Sequence, residues 1–179
     1  METALTLHTF QPIYEKGAII SECGLYRYEL TRDWEREPST PRLPIIGLNP
    51  SVASATLDDP TIRRCVSFAK RDSFSGITML NLYAFRATDP EEMFKADDPV
   101  GPDNMKYLEL HAAISISQGA PILCAWGAGG SGGLARYVTK LLVDKGASLV
   151  CLGLTKQGHP RHPLYVKGDT PFSPYLMEL

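Results

Sequence analysis

Short apolar runs alternate with longer amphipathic stretches along most of the chain. Residues 18–34 (AIISECGLYRYELTRDW) hold two β-rich runs around Glu22, Cys23 and Gly24, which predicts a hairpin. A proline-rich connection, residues 35–42, comes next. Residues 43–48 (LPIIGL) predict a short strand. Asp59 before Pro60 is an N-cap with proline at the first helical position, and predicts a helix to about Arg71. Residues 76–83 (GITMLNLY) predict a second strand. Residues 102–118 predict a helix with Leu108, Ala112 and Ile116 along one face. A third strand over 121–126 (PILCAW), a helix over 133–145 and a fourth strand over 148–154 complete the pattern.

Strands this apolar are buried on both faces, and helical crossovers make neighbours parallel. The expected fold is α/β: a three-layer sandwich with a central four-stranded parallel sheet plus an N-terminal β-hairpin. It forms a single domain over 1–179, with the hairpin at 18–34 and the α/β core at 43–170. There is no internal repeat. In such sheets ligands sit outside the carboxyl ends of the strands.

Composition narrows the classes. The chain has 179 residues, 44% hydrophobic and 21% charged, with a net charge of −2. That balance argues against a basic nucleic-acid coat and against an acidic tail protein. Mean hydropathy is −0.12, and no apolar run approaches the ~20 residues of a membrane span. METALTLHTF lacks the basic n-region of a leader. A cytoplasmic protein with no membrane partner is expected. Cys23, Cys65, Cys124 and Cys151 stand far apart. Metal ligands normally come in closely spaced pairs, so no metal is expected.

The loops at the strand ends carry the chemistry. Asn49, Pro50 and Ser51 come after the first strand. Asn81, Tyr83, Phe85 and Arg86 end or succeed the second. A glycine-rich loop, residues 127–133, succeeds the third, and residues 155–164 (TKQGHPRHPL) succeed the fourth. Asn49-Pro50 suits a plain turn or a ligand loop. Asn81 in an apolar strand either stitches loops together or meets a ligand, because a buried amide without partners costs about 1–3 kcal/mol. Asp58, Asp59, Arg63 and Arg64 read as a helix cap and a solvated helix face. Gly127, Gly129 and Gly132 match G-x-G-x-x-G, but a dinucleotide motif opens the first βαβ unit and needs an acid after the next strand. SLVCLGL supplies none. No cofactor is expected, whereas backbone N–H groups at a helix start still suit a phosphate, including one of a nucleic-acid backbone.

At GLNPSVASATLDDPTIRRC, MLNLYAFRATDP, ADDPVGPDN and GLTKQGHPRHPLY the chain resembles a bacterial and phage family known as domain of unknown function number sixteen forty-three. A more distant resemblance is to the uracil/thymine-DNA glycosylase superfamily. It is carried by the Gly-x-Asn-Pro-type loop at residues 47–50, the pair Leu80-Asn81 and the His-Pro loop at His162-Pro163. Ser51 stands where the thymine-type branch has glycine, and Asn49 where the uracil-type branch has aspartate.

The superfamily resemblance implies glycosidic cleavage through a cationic sugar, where water needs positioning more than deprotonation. Asn49 would hold that water, and His162 would stabilise the departing base. Asn81 would read the base edge, Tyr83 or Phe85 would stack on it, and Pro50, Ser51 and His159 would complete the substrate wall. Gly127, Gly129, Gly132, Lys156 and Arg161 would hold the DNA backbone. The competing expectations are a nucleoside- or nucleotide-processing enzyme and a non-catalytic nucleic-acid-binding module. Which of His159 and His162 acts, and the oligomeric state, stay open.

Overall fold

The structure is a computed structural model that describes residues 15–36, 38–51 and 57–176. The N-terminal residues that bear on a leader, and residues 52–56 after the Asn49-Pro50-Ser51 turn, lie outside the described residues. In chain order the elements are strands β1 (Glu15–Ile20), β2 (Arg27–Asp33) and β3 (Arg42–Gly47), helix α1 (Pro60–Arg71), strand β4 (Gly76–Asn81), and helices α2 (Pro90–Phe94) and α3 (Asn104–Gln118). Strand β5 (Ile122–Cys124), helix α4 (Gly133–Asp144), strand β6 (Leu149–Cys151) and strand β7 (Ser173–Pro174) complete the order. Single 3-10 turns lie at Ala128–Gly130 and Pro163–Tyr165.

One mixed sheet of seven strands runs in the order β1-β2-β4-β3-β5-β6-β7. The expected four-stranded sheet is therefore corrected. Strands β4, β3, β5 and β6 are parallel neighbours in the middle of a wider sheet. The hairpin pairs β2 antiparallel to β4, and β7 closes the other side antiparallel to β6. Two short elements, α2 and β7, escape the sequence pattern. Five and two residues are too few to show a period.

Side chains alternate across the sheet as the pleat requires. Ile45 and Leu123 face α1, where they meet Ile62, Cys65 and Phe68. Ile46, Ile122 and Cys124 face the opposite side, against Leu108 and Ala112 of α3 and Val138 and Leu142 of α4. Helices thus cover both faces. One detail of α3 differs from expectation: Ile116 is exposed, and the buried face runs through Leu108, His111, Ala112 and Ser115. Two four-residue steps drift about 80° around a helix of 3.6 residues per turn, whereas seven residues return to within about 20°.

The connections fix where a ligand goes. Strand β3 leads into α1 on one face and its neighbour β5 into α4 on the other. Loops at the carboxyl ends of β3 and β5 therefore diverge and leave a crevice, the topological switch point of an open α/β sheet. Asp59 caps α1 as the sequence predicts, accepting the Ile62 N–H at 2.8 Å. Arg63 is exposed as expected, whereas Asp58 and Arg64 are engaged inside the structure. Asp58 takes the fully buried Arg32 at 2.7 Å, and Arg64 donates to the carbonyls of Pro163 and Val166, pinning the His-Pro loop to α1.

Candidate functional site

A cavity of about 210 Å³ opens at this crevice. Its first wall comes from β2 and β4 and carries Arg27 and Asn81. Asn81 is 4% exposed, and its side-chain amide bonds to none of the described residues. Strand packing holds it there. Asn104 of α3 donates to the carbonyls of Asn81 and Leu82, both at 3.0 Å. Gly47 on the adjacent strand leaves the room, because a Cβ there would sit 2.9 Å from Asn81 Oδ1.

The floor is the loop after β3. Asn49 donates through Nδ2 to the Ala87 carbonyl at 2.9 Å and the Pro50 carbonyl at 3.2 Å. The amide nitrogen therefore stitches this loop to the one after β4, and Oδ1 is left as the acceptor. The Ser51 hydroxyl donates to Asp59 Oδ2 at 3.3 Å. Asp59 is the one carboxylate among the described residues of this cavity.

The far wall comes from β5 and the loop after β6, and carries Trp126 and His162. Trp126 is 2% exposed and lies on Gly130, where any Cβ would run into the ring. Its indole N–H has no partner among the described residues. Gly127 has φ of +70°, and a Cβ on it would come within 3.2 Å of His162 Cβ. This glycine supplies both the left-handed backbone and the close approach. Leu164 N–H points at His162 Nδ1 from 3.4 Å, so the neutral ring carries its hydrogen on Nε2. Burial pushes the His162 imidazole below its ordinary value, against the pull of Asp59.

Of the residues singled out from sequence, Asn49, Ser51, Asn81 and His162 line this one cavity. Pro50 is buried behind it and accepts the Ala87 N–H. Tyr83 packs edge-on against Phe94 and Phe85 against Tyr26, at ring separations of 5.4 and 6.0 Å, so neither ring lines the cavity. Trp126 does. Across the glycine loop, His159 lines a separate cavity of about 140 Å³ with Gly132, Arg136 and Gln157, at the start of α4. Gly129 lies under Leu48, where a Cβ would approach to 2.6 Å, and Lys156 and Arg161 are exposed. Among the described residues no group of three or more His, Cys, Asp and Glu could hold a metal ion, and no helix is long and apolar enough to cross a membrane.

The model of a family described as protein of unknown function (DUF1643) matches residues 27–164. The chain belongs to that family. The DUF1643 match begins at Arg27 on the first wall and ends just past His162 on the far wall, so it spans every residue placed around the cavity. No curated protein and no solved structure matches the chain.

Proposed function

We propose that this DUF1643 protein hydrolyses the N-glycosidic bond of a damaged or phage-modified base in DNA, with that nucleotide flipped into the cavity. Asn81 is the observation that carries the reading. No described residue bonds its amide, which lines the cavity, and a base edge offering both a donor and an acceptor would pair it in full. Across the cavity, the Nε2–H of His162 is available as a donor to a base that gains negative charge as it leaves. Asn49, with Oδ1 free to accept, would orient a water rather than deprotonate it. The indole of Trp126 supplies the aromatic wall that the sequence leads one to expect from Tyr83 or Phe85. Beyond the glycine loop, the uncapped start of α4, Arg136, Lys156 and Arg161 offer positive potential to phosphates. The parallel middle strands with helices on both faces support the resemblance to the uracil/thymine-DNA glycosylase superfamily.

A second reading, hydrolysis of a free nucleoside or nucleotide, is favoured by one feature of the rim. Asp89, Glu91, Glu92, Asp97 and Asp98 stand within the ten residues after the wall residues Ala87 and Thr88 and would repel a long phosphate backbone on that side. Purified protein is incubated with oligonucleotides carrying altered bases and with the matching free nucleosides, and alkali-labile sites and released base are measured. Base release from oligonucleotides supports the glycosylase reading. Release from nucleosides alone favours the second, and release from neither sinks both.

A further inference from the structure

We infer that Asp59 and Arg27 are a catalytic pair of opposite charges set across the cavity to match the charge separation of glycosidic cleavage, Asp59 at the sugar end and Arg27 at the base end. The inference rests on the glycosylase reading above. Two adjacent acids behave differently here. Asp58 is taken by cations, Arg32 at 2.7 Å and Lys16 at 3.3 Å. Among the described residues Asp59 is held by neutral donors only, the Ile62 N–H and the Ser51 hydroxyl, and it faces the cavity. Both contacts fix its orientation without neutralising it.

Arg27 comes from the hairpin strand β2, on the wall it shares with Asn81, and is 5% exposed. Burial, with Arg86 and Arg32 nearby, brings its guanidinium down to about 10, so it stays charged at neutral pH. Asp59, Arg27 and His162 line the same cavity from three different segments: the start of α1, β2 and the loop after β6. Arg27 therefore sits with the base-reading amide, and Asp59 with the Asn49 loop.

Fixed charges accelerate a reaction only where they meet charge that develops in the transition state. An intact uracil nucleotide carries none on its base or at C1′. As the C1′–N bond breaks, its electron pair goes to the base and the sugar becomes cationic. The oxygen of a water oriented by Asn49 then bonds to C1′, and the water's proton passes to the Asp59 carboxylate and on to solvent. The base anion, held against Arg27 and His162 Nε2–H, takes a proton from solvent. One water is consumed, and the products are free base and an abasic sugar.

The test measures base release with enzyme in excess over oligonucleotides carrying uracil, 5-fluorouracil, 5-hydroxymethyluracil, 5-carboxylcytosine or hypoxanthine. Asp59→Asn keeps an N-cap of equal quality while removing the charge. It is expected to slow release by roughly 10²–10³-fold, with thermal unfolding unchanged. Arg27→Gln is expected to slow uracil release by about 10²-fold and 5-fluorouracil release less, because the fluorinated anion needs less stabilisation. A structural role would slow both bases equally. Arg27→Lys keeps the charge at a poorer position and carries this arm if the Gln variant does not fold. A folded Asp59→Asn protein within threefold of wild type, or equal slowing of the two bases at Arg27, overturns the pair and leaves the glycosylase reading standing. Wild-type protein that releases no base from the panel overturns both.

Discussion

The two ends of the sheet answer the same problem, polar groups at strand termini, in opposite ways. At the amino ends of the parallel strands lies the larger cavity, about 300 Å³, and its buried titratable groups, Asp33 and His111, are paired off. Arg42 grips Asp33 through two hydrogen bonds of 2.6 and 2.7 Å, and His111 on its wall meets Glu29 at 2.7 Å. Of its fully buried side-chain polar atoms, the Thr40 hydroxyl lacks a partner among the described residues. At the carboxyl ends the smaller cavity holds an amide, an indole N–H and a carboxylate that neighbouring described residues leave unanswered or meet with neutral donors only. Cavity size does not separate the two ends; the kind of group left unanswered, an amide and a carboxylate at one end and hydroxyls at the other, does. Natural proteins pair almost all buried polar groups, so a cluster of exceptions marks a place meant for something else.

Histidines give the sharpest way to break this contrast, because each end has one. His162→Ala is expected to lower turnover by roughly 10²–10³-fold, the usual value of one donor to a developing anion, and to leave the unfolding temperature nearly unchanged. His111→Ala should do the reverse, leaving turnover intact while costing about 1–3 kcal/mol in a denaturant titration, since Glu29 loses its partner in a half-buried place. Equal losses of activity from both would mean that the two ends are not functionally distinct.

The next effect is on the far wall. Gly130→Ala is expected to cost about 1–3 kcal/mol, because the new methyl group collides with the ring of Trp126. Gly132, the N-cap of α4, has only the Tyr83 hydroxyl nearby, at 3.8 Å from a Cβ, and its alanine variant should unfold within about 0.5 kcal/mol of wild type. Matching stabilities for the two would show that the loop is held by something other than Trp126. A smaller effect belongs to Asn81→Leu. Replacing an amide that no described residue bonds should be close to neutral for stability while weakening substrate binding about tenfold, or 1.4 kcal/mol. A drop in stability with binding unchanged would make Asn81 a loop stitch.

Much of this is legible in the sequence, and the remainder is hidden for identifiable reasons. The strand–helix alternation, the Asp59 cap and the convergence of Asn49, Asn81 and His162 come from local pattern plus the rule for open α/β sheets. Arg27 is not legible. In RYELTRD it is one of several alternating charges, and only the pairing of β2 with β4 brings it to the cavity. Asp59 reads as a cap and nothing more, since a cap accounts fully for one oxygen and says nothing of the other. Tyr83 and Phe85 succeed a strand just as the ligand rule asks, but the 83–86 turn is claimed by Phe94 and by the hairpin through Tyr26. The glycines look like one phosphate motif, although Gly127, Gly129 and Gly130 each answer to a different neighbour: His162, Leu48 and Trp126.

The smallest expected effect distinguishes the two ends by pH. His162 is pushed below the ordinary histidine value of 6.5 by burial. With the folded value depressed, the unfolded chain takes up the proton first as pH falls. Stability attributable to His162 should therefore be level above about pH 6.5, decline as the pH drops through that value, and flatten again below the depressed folded value. The neutral ring with its hydrogen on Nε2 is also the form proposed to assist the leaving base, so turnover should persist somewhat below pH 6.5 before it falls. Replacing His162 with Gln removes the titrating group and should flatten that part of the stability profile, while His111→Gln should leave the activity profile where it was. A wild-type activity profile that collapses already above pH 7 would place a different, more basic group in the role assigned to His162.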